Sequence, residues 1–364
     1  MKILYITGQI IQHGGIEKVL TMKLNYLAEA GHDVFLSTYE QGIHPFIYPI
    51  SSKVTHEDIQ INYNVDYARS SLYSWKYLRL VPKHMYRTYR LIRRIQPDVI
   101  VIPNFGYEYW FLPLIKKRAF IIREFHDSQY NRAAGGLKIK LDDFVQRFYD
   151  RIVVLTPQEI AYFNYKRNIV VIPNPIVETS HCSDLSTSVV MTVGRINRVK
   201  RFELFIEVAW QVIQAYPEAI FEIYGEGDTA YQRELQELID EKKLGDYVLF
   251  KGPTPQVDKA LSQGAIYVCT SRTESFGMTL IEAMESGLPV VSFDCPHGPR
   301  NIIEEGVDGF LVSDDSVDRM SQLIIGLLSD RKQLKAMGMH ARQKAASFHI
   351  DHIMKKWSNL FYIK

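Results

Sequence analysis

Short apolar runs alternate with amphipathic stretches along the first 175 residues of the chain. The runs predict strands at 2–7, 33–38, 98–102, 119–123, 151–155 and 169–172. Helical periodicity fills the intervals, as at 16–30, where the pattern stops before Gly31 in the way that a helix C-terminus does. Because strands buried on both faces are continuously apolar, these runs indicate a parallel sheet with helices on both sides.

The alternation pauses at Pro173-Asn174-Pro175, a stiff extended connector, and restarts after a polar stretch at 178–188. The second series predicts strands at 189–193, 219–224, 247–251, 265–270, 289–293 and 309–312, and helices at 202–215, 231–243, 278–286 and within 317–362. The pattern predicts an α/β protein of two doubly wound, Rossmann-like domains, 1–175 and 176–345, with a C-terminal helix in 346–364 packing back on the first. Since ligands bind beyond the carboxyl ends of such strands, we expect the domains to face each other across a cleft.

The composition is that of a soluble globular protein, with 46% hydrophobic and 23% charged residues. Cys182, Cys269 and Cys295 form no CxxC pair, which favours a reducing compartment and a cytoplasmic location. The N-terminus reads as a strand and not as a signal peptide, and no apolar run approaches the ~20 residues that span a bilayer. We therefore expect any membrane contact to be peripheral.

Charge is distributed unevenly along the chain, although the formal net charge is only +2. Residues 1–175 hold 23 Lys and Arg against 15 Asp and Glu, whereas residues 176–364 hold 20 against 26. This asymmetry suggests that the first half faces an anionic partner, and ordinary surface variation is the alternative.

The strongest local signal is the segment Glu274-Ser-Phe-Gly-Met-Thr-Leu-Ile-Glu282, between a predicted strand and a helix that opens near Gly277. Glycine there lets the backbone approach a ligand closely, and the free N–H groups of the first helical turn favour a diphosphate. Glu282 could accept hydrogen bonds from two ribose hydroxyls. Glu274 precedes the helix, where a sugar attached to the diphosphate would lie. Two solvated glutamates are the alternative.

Three weaker signals also follow predicted strands. Arg195 and Lys200 leave the first strand of the second domain, where two cations could stabilise the charge on a departing diphosphate; a solvated basic loop is the alternative. Gly14 and Gly15 open the first helix and permit close approach of phosphate or sugar, without forming the GxGxxG dinucleotide motif. His126 follows the strand at 119–123, and a structural histidine is its alternative.

The order of these motifs resembles that of the retaining glycosyltransferases of family 4. The shared pattern is Gly-Gly-x-Glu at 14–17, the strand-end His126, Gly-Arg-(x4)-Lys at 194–200 and Glu-(x7)-Glu at 274–282, and the similarity runs from Lys2 to about Phe361. The loop Asp294-Cys-Pro-His-Gly-Pro-Arg300 is similar to that of members that transfer galactose, glucose or their N-acetylamino forms from UDP. The resemblance implies a GT-B fold, retention at the anomeric carbon and no essential metal, and the chain has no Asp-x-Asp motif.

The resemblance also implies roles for individual residues. Catalytic roles fall to His126, Arg195, Lys200 and Glu274. The implied donor site consists of Gly14, Gly15, Arg195, Lys200, Glu274, Phe276, Gly277, Met278, Thr279 and Glu282. Family members usually have glycine after the lysine, where this chain has Arg201, so it stays open whether Lys200 or Arg201 reaches the diphosphate.

The substrates that the resemblance implies are a nucleotide sugar, with UDP as the expected nucleotide, and the hydroxyl of a growing bacterial surface glycan that could be linked to polyprenyl pyrophosphate. No cofactor and no nucleic-acid partner are expected. The alternatives within the same architecture are a nucleotide-sugar epimerase and a sugar-phosphate synthase. A non-catalytic module that binds sugar nucleotides is the alternative from another class.

The segment 72–95 is rich in Lys and Arg and contains no acidic residue. Lys83, Arg87, Arg90 and Arg94 follow helical spacing, so they are expected to share one face of a helix that Pro82 opens. The aromatic and apolar residues before this helix suit a membrane headgroup boundary: Leu72, Tyr73, Trp75, Tyr77, Leu78 and Leu80. The interpretation is peripheral contact with an anionic membrane or with a lipid-linked pyrophosphate, and a solvated basic face is the alternative.

Overall fold

The computed structural model describes residues 1–12, 14–63, 75–103, 106–128, 137–313 and 316–362. The chain divides into two compact units: the first unit is Met1–Pro175 with Ile350–Lys364, and the second unit is Ile176–His349. Each unit is built on one parallel sheet with helices packed on it. Within the described residues, no helix is long and apolar enough to cross a membrane.

The first unit contains a seven-stranded sheet in the order β3-β2-β1-β4-β5-β6-β7. Its strands are β1 (Lys2–Thr7), β2 (Asp33–Thr38), β3 (Thr55–Asp58), β4 (Val99–Ile102), β5 (Phe120–Glu124), β6 (Arg151–Val154) and β7 (Ile169–Val171). Its helices are α1 (Gly15–Glu29), α2 (Trp75–Leu78), α3 (Val81–Ile95), α4 (Glu108–Ile115), α5 (Leu137–Gln146) and α12 (Ile350–Tyr362). β4 is buried throughout and β1 is buried at every position except Lys2, as the continuous apolar runs predicted.

Strand β3 is the one strand of this sheet that the hydrophobic pattern did not predict. Its sequence is Thr-His-Glu-Asp, and it lies at the sheet edge, where only β2 pairs with it. The register places Thr55 beside Phe35 and Asp58 beside Thr38. Because backbone pairing forms an edge strand whose side chains face solvent, this strand carries no apolar run to detect.

Helix α12 packs on the first unit, against α1. It begins at Ile350, four residues after the predicted start of the C-terminal segment. Trp357, Leu360 and Phe361 are each no more than 3% exposed and belong to the core cluster that includes Ile3 and Leu20. The C-terminal helix therefore forms part of the hydrophobic core beneath β1 and α1.

The second unit contains a six-stranded sheet in the order β10-β9-β8-β11-β12-β13. Its strands are β8 (Val189–Val193), β9 (Ile220–Tyr224), β10 (Val248–Gly252), β11 (Ile266–Cys269), β12 (Val290–Phe293) and β13 (Gly309–Val312). Its helices are α6 (Phe202–Ala215), α7 (Thr229–Glu241), α8 (Val257–Leu261), α9 (Met278–Glu285), α10 (Val317–Ser329) and α11 (Arg331–Ala345). The carboxyl end of the adjacent central strands β8 and β11 is where the candidate site lies.

The two ends of the second unit lie side by side. Ile176 and His349 form a parallel β-bridge, and the Ile176 N–H donates to the carbonyl oxygen of Phe348 over 2.9 Å. Glu285 at the end of α9 joins both ends, because its Oε1 accepts from the Thr179 N–H and its Oε2 lies 2.8 Å from His349 Nε2. The chain thus enters and leaves this unit at neighbouring points.

Candidate functional site

Lys200 and Glu274 form an ion pair at the carboxyl end of the second unit's sheet. Lys200 Nζ donates to Glu274 Oε1 over 2.6 Å, and Ser271 Oγ donates to the same oxygen over 2.6 Å. The two side chains are 21% and 12% exposed, so the pair is only partly open to solvent. Burial alone would lower the pKa of Lys200, but the neighbouring Glu274 carboxylate outweighs it and raises that pKa above its ordinary value. Lys200 is therefore a fixed positive charge.

Local backbone geometry places Lys200 beside Glu274. A side chain at Gly194 would lie 3.2 Å from Lys200 Cε, so glycine leaves room for the lysine stem. The Lys200 carbonyl oxygen accepts from Thr270 Oγ1 over 2.8 Å, which ties the loop after β8 to the end of β11. The two loops are thereby held in one fixed arrangement at the sheet edge.

Arg201 has a different position from Lys200 although the two are neighbours. It is 4% exposed, has φ +50° at the start of α6, and its Nε donates to the Thr270 carbonyl oxygen over 2.9 Å. Its Nη2 donates to the Ser271 carbonyl oxygen over 3.3 Å, and the ring of Phe293 lies 5.2 Å from the guanidinium carbon. Arg201 thus holds the end of β11, and Lys200 is the residue that contacts Glu274.

Arg195 is exposed on the loop between β8 and α6. Among the residues that the structure describes, no ion pair or side-chain hydrogen bond joins it to another group. The structure therefore places Arg195 on the loop that carries Lys200 but does not bring it into the Lys200–Glu274 pair.

Helix α9 begins beside this pair at Gly277. Gly277 has φ +97°, a conformation that favours glycine, and the following residues Met278 and Thr279 start the helix. Thr279 Oγ1 accepts from the buried Tyr267 hydroxyl over 2.8 Å, which fixes the first turn against β11. Glu282 is half-buried one turn further along the helix. The first-turn N–H groups and the dipole of α9 make this position suitable for an anion.

The loop after β12 supports the Glu274 loop through main-chain contacts. Gly298 N–H donates to the Glu274 carbonyl oxygen over 3.1 Å, and Glu274 N–H donates to that of Pro296 over 3.2 Å. A Cβ at Gly298 would lie 2.4 Å from the Phe276 carbonyl oxygen, so only glycine permits this approach. These main-chain contacts fix the position of Glu274, and the sequence motif alone does not show them.

In the first unit, His126 lies two residues beyond β5 and contacts Glu124. Its Nε2 is 3.0 Å from Glu124 Oε2, and Glu124 Oε1 accepts from Lys23 Nζ over 2.6 Å. Sequence reasoning singled out His126 but missed Glu124 and Lys23. A signal was present, because Lys23 occupies a helical spacing with Leu20 and Leu27 on an otherwise apolar face.

Gly14 is the residue before α1, with extended backbone, and Gly15 is the first residue of the helix. The predicted glycine pair thus lies at a helix N-terminus that follows β1. These two glycines and His126 belong to the first unit, and the Lys200–Glu274 pair belongs to the second.

The predicted basic stripe is only partly available on the surface. Arg87 is half-buried and donates to the carbonyl oxygens of Ile59 and Gln60, and Arg94 forms an ion pair with Glu57. The loop after β3 supplies the acceptors of Arg87, and Glu57 within β3 supplies that of Arg94. Lys83 and Arg90 are exposed.

The aromatic run before α3 also needs a correction. Tyr77 is 7% exposed and packs in the core beside Tyr63, so it is not a headgroup contact. Leu78 is exposed and Leu80 packs partly against the core. Leu72 and Tyr73, and the side chain of Trp75, lie outside the described part of the chain.

The two units, each built on one parallel sheet, have the GT-B fold of glycosyltransferases. Family models match nearly the whole chain: "Glycosyltransferase Family 4" matches residues 13–179 and "Glycosyl transferases group 1" matches residues 180–344. The chain belongs to the family 4 glycosyltransferases of GT-B fold.

Curated relatives and solved structures agree with this assignment. The chain is 30% identical over 241 residues to the GtfA subunit of UDP-N-acetylglucosamine--peptide N-acetylglucosaminyltransferase from Streptococcus pneumoniae, covering 64% of this chain and 46% of the relative. It is 35% identical over 173 residues to poly(ribitol-phosphate) alpha-N-acetylglucosaminyltransferase from Staphylococcus aureus, covering 46% of this chain and 35% of the relative. The chain thus spans less than half the length of these relatives. A crystal structure of S. aureus TarM with UDP superimposes with a TM-score of 0.77 at 17% identity and covers 100% of both chains.

Proposed function

We propose that this protein transfers a hexose or N-acetylhexosamine from a UDP-sugar to a hydroxyl of a bacterial surface glycan, with retention of anomeric configuration. The observation that carries the proposal is the Lys200–Glu274 pair beside the N-terminus of α9. The names of two relatives support the details, since one uses UDP-N-acetylglucosamine and the other makes an alpha linkage.

The donor site in this proposal is built around the diphosphate. The Lys200 ammonium has three N–H donors, and Glu274 accepts one, which leaves others for phosphate oxygens. Arg195 supplies a second cation, and the first-turn amides of α9 add the positive end of a helix dipole. Because charge grows on the diphosphate as the sugar departs, these groups stabilise the transition state more than the ground state.

Glu274 and the backbone from Phe276 to Thr279 contact the donor sugar in this proposal, and Glu282 accepts hydrogen bonds from the ribose hydroxyls. The bond between the anomeric carbon and the diphosphate oxygen breaks, and a bond to the acceptor oxygen forms on the same face. The leaving phosphate takes the acceptor proton. Cys269 Sγ lies 3.9 Å from Glu274 Oε1. Burial is the main cause that raises the pKa of the Cys269 thiol, and the Glu274 carboxylate raises it further, so Cys269 is not the nucleophile in this proposal.

A transfer assay over UDP-, GDP- and ADP-sugars tests the proposed reaction. We expect UDP-sugar consumption to depend on a glycan acceptor, and the product to show alpha linkage by NMR. Conversion of the donor without an acceptor would instead indicate the epimerase. Capture of a free sugar phosphate as the acceptor would indicate the synthase.

Turnover should persist in excess EDTA, because Lys200 and Arg195 supply the positive charge that a metal supplies elsewhere. The measurement is the initial rate of UDP release with EDTA and with added Mn²⁺. A complete loss of activity in EDTA that Mn²⁺ restores would contradict this part of the proposal.

Glu282→Gln should weaken UDP binding about 10-fold, because it removes a charged acceptor of the ribose while keeping the side-chain shape. Titration calorimetry with UDP measures the effect, and the melting temperature should stay near that of the wild type. Glu237→Gln on the exposed face of α7 is the matched control and should not change UDP affinity. Equal affinity in both variants would remove Glu282 from the donor site.

The proposal includes peripheral contact of the first unit with an anionic membrane. Lys83 and Arg90 are exposed on α3, and the exposed apolar side chains Leu78, Met85 and Tyr86 lie on the same stretch of chain. Since each Lys or Arg near an anionic leaflet contributes about 1 kcal/mol, the attachment should be salt-sensitive.

Liposome flotation checks the membrane contact. The wild type should float with anionic vesicles at low salt and remain in solution at high salt. The Lys83→Glu/Arg90→Glu variant should lose flotation at low salt and still bind UDP. The control, Lys332→Glu/Lys335→Glu on the exposed face of α11, should float like the wild type. Equal flotation of all three proteins would contradict the membrane role of α3.

A further inference from the structure

Three buried side chains form a continuous hydrogen-bonded series behind the end of β5 in the first unit. Lys23 Nζ donates to Glu124 Oε1 over 2.6 Å, and Glu124 Oε2 lies 3.0 Å from His126 Nε2. Each of the three side chains is at most 4% exposed. A buried ion pair adds little net stability, so a purely stabilising role does not account for its presence here.

Aromatic rings enclose the cation at the far end of this series. The Lys23 ammonium lies 3.5 Å from the centroid of the Trp357 ring and 5.6 Å from that of Tyr5. Trp357 belongs to α12, so the C-terminal helix covers Lys23 with an aromatic face. The Lys23 ammonium is therefore held between these rings and the Glu124 carboxylate.

The charge on Glu124 determines which nitrogen of His126 carries a proton. Burial would raise the pKa of Glu124, but Lys23 and then His126 outweigh it and lower that pKa to about 2. An ionised carboxylate only accepts hydrogen bonds, so Nε2 of His126 must be the donor between them. In the neutral ring, Nδ1 is then an acceptor.

Among the described residues, the acceptor nitrogen of His126 has no hydrogen-bond partner. His126 Nδ1 is buried and makes no hydrogen bond to any described residue. Ligands of open α/β sheets bind beyond the carboxyl ends of the strands, so Nδ1 of His126, two residues beyond β5, is placed to accept a hydrogen bond from a ligand.

We propose that Lys23 and Glu124 are positioning residues that hold His126 in the Nε2-protonated tautomer, so that Nδ1 accepts a hydrogen bond from a sugar hydroxyl of the substrate. The identity of that hydroxyl rests on the proposed function. The tautomer of His126 does not depend on the proposed function, because it follows from the contacts with Glu124 and Lys23.

Nitrogen NMR of protein labelled with ¹⁵N-histidine tests the tautomer directly, without substrate. The His126 signals are assigned by their loss in His126→Gln. We expect a protonated Nε2 and an unprotonated Nδ1 in the wild type at neutral pH. A protonated Nδ1 in the neutral ring would overturn the proposal and would leave the transferase proposal intact.

Two variants separate positioning from simple support of the fold. Glu124→Gln keeps the shape but can turn its NH₂ toward Nε2, which would move the ring proton to Nδ1. Lys23→Met/Glu124→Leu replaces the whole ion pair with apolar groups and should keep a melting temperature close to that of the wild type. In both variants we expect kcat to fall about 10- to 100-fold, with the Kd for UDP unchanged.

Asp150→Asn is the matched control, because Asp150 pairs with Lys116 over 2.7 Å and accepts from the Ile121 N–H at the opposite end of β5. It should lower the melting temperature and leave kcat unchanged. Should Glu124→Gln not fold, the double variant and the wild-type NMR tautomer decide the question. Wild-type kcat in the folded double variant would show that the ion pair is only structural and would overturn the proposal.

Discussion

Replacing Lys200 with alanine should lower kcat by about 100- to 1,000-fold, the usual cost of losing one group that stabilises developing charge. Lys200 is the cation that contacts Glu274 at the sheet edge, and its charge is fixed by that contact. The Lys200→Ala variant should remain folded, because its side chain is partly exposed and fills no part of the core. The measurements are kcat from UDP release and the melting temperature of the same sample.

Arg198→Ala is the matched control for this variant. Arg198 is exposed on the same loop, and its guanidinium pairs with Glu234 on α7. An exposed pair of this kind contributes little, so turnover should stay near that of the wild type. Near-normal turnover in Lys200→Ala would instead remove Lys200 from the reaction.

Arg201→Ala should destabilise the second unit by about 2–4 kcal/mol, since the buried carbonyl oxygens of Thr270 and Ser271 would lose their donor. For a unit of this size we expect the melting temperature to fall by roughly 5–10 °C. Differential scanning calorimetry and urea unfolding measure the loss.

The exposed neighbour Arg272 supplies a control of the same residue type, and Arg272→Ala should change the melting temperature little. Arg201→Lys should recover part of the stability, because one donor remains. A variant of Arg201 that loses turnover but keeps the wild-type melting temperature would assign Arg201 to the ligand and not to the fold.

Hydrophobic patterning predicted the strands that are buried on both faces, because burial there leaves a continuous apolar run. β1 and β8 match the predicted bounds, β4 starts one residue later than predicted, and β11 is one residue shorter at each end. The short helix α8 and the edge strand β3 were missed. Both are brief or polar, so local sequence carries little of the information that forms them.

The candidate site was predictable to the extent that it depends on strand ends. Glu274 and Lys200 follow β11 and β8, which are neighbours in the sheet, and the two side chains meet. Spacing could not distinguish the environments of adjacent residues such as Lys200 and Arg201. Nor could it show that Arg87 donates to the carbonyl oxygen of Ile59, because that contact is made 28 positions away in the chain.

The return of the chain to the first unit has a consequence for synthesis on the ribosome. Domains generally fold as they emerge, with the N-terminal one first. Here β1 and α1 emerge long before α12, so the core around Ile3 and Leu20 lacks Trp357 and Phe361 until residues 176–349 have been made. Lys23 also lacks its Trp357 ring throughout that interval. The second unit is therefore complete on the ribosome before the first unit, although its translation begins later. Until α12 is made, the first unit is an incomplete domain of the kind that chaperones protect.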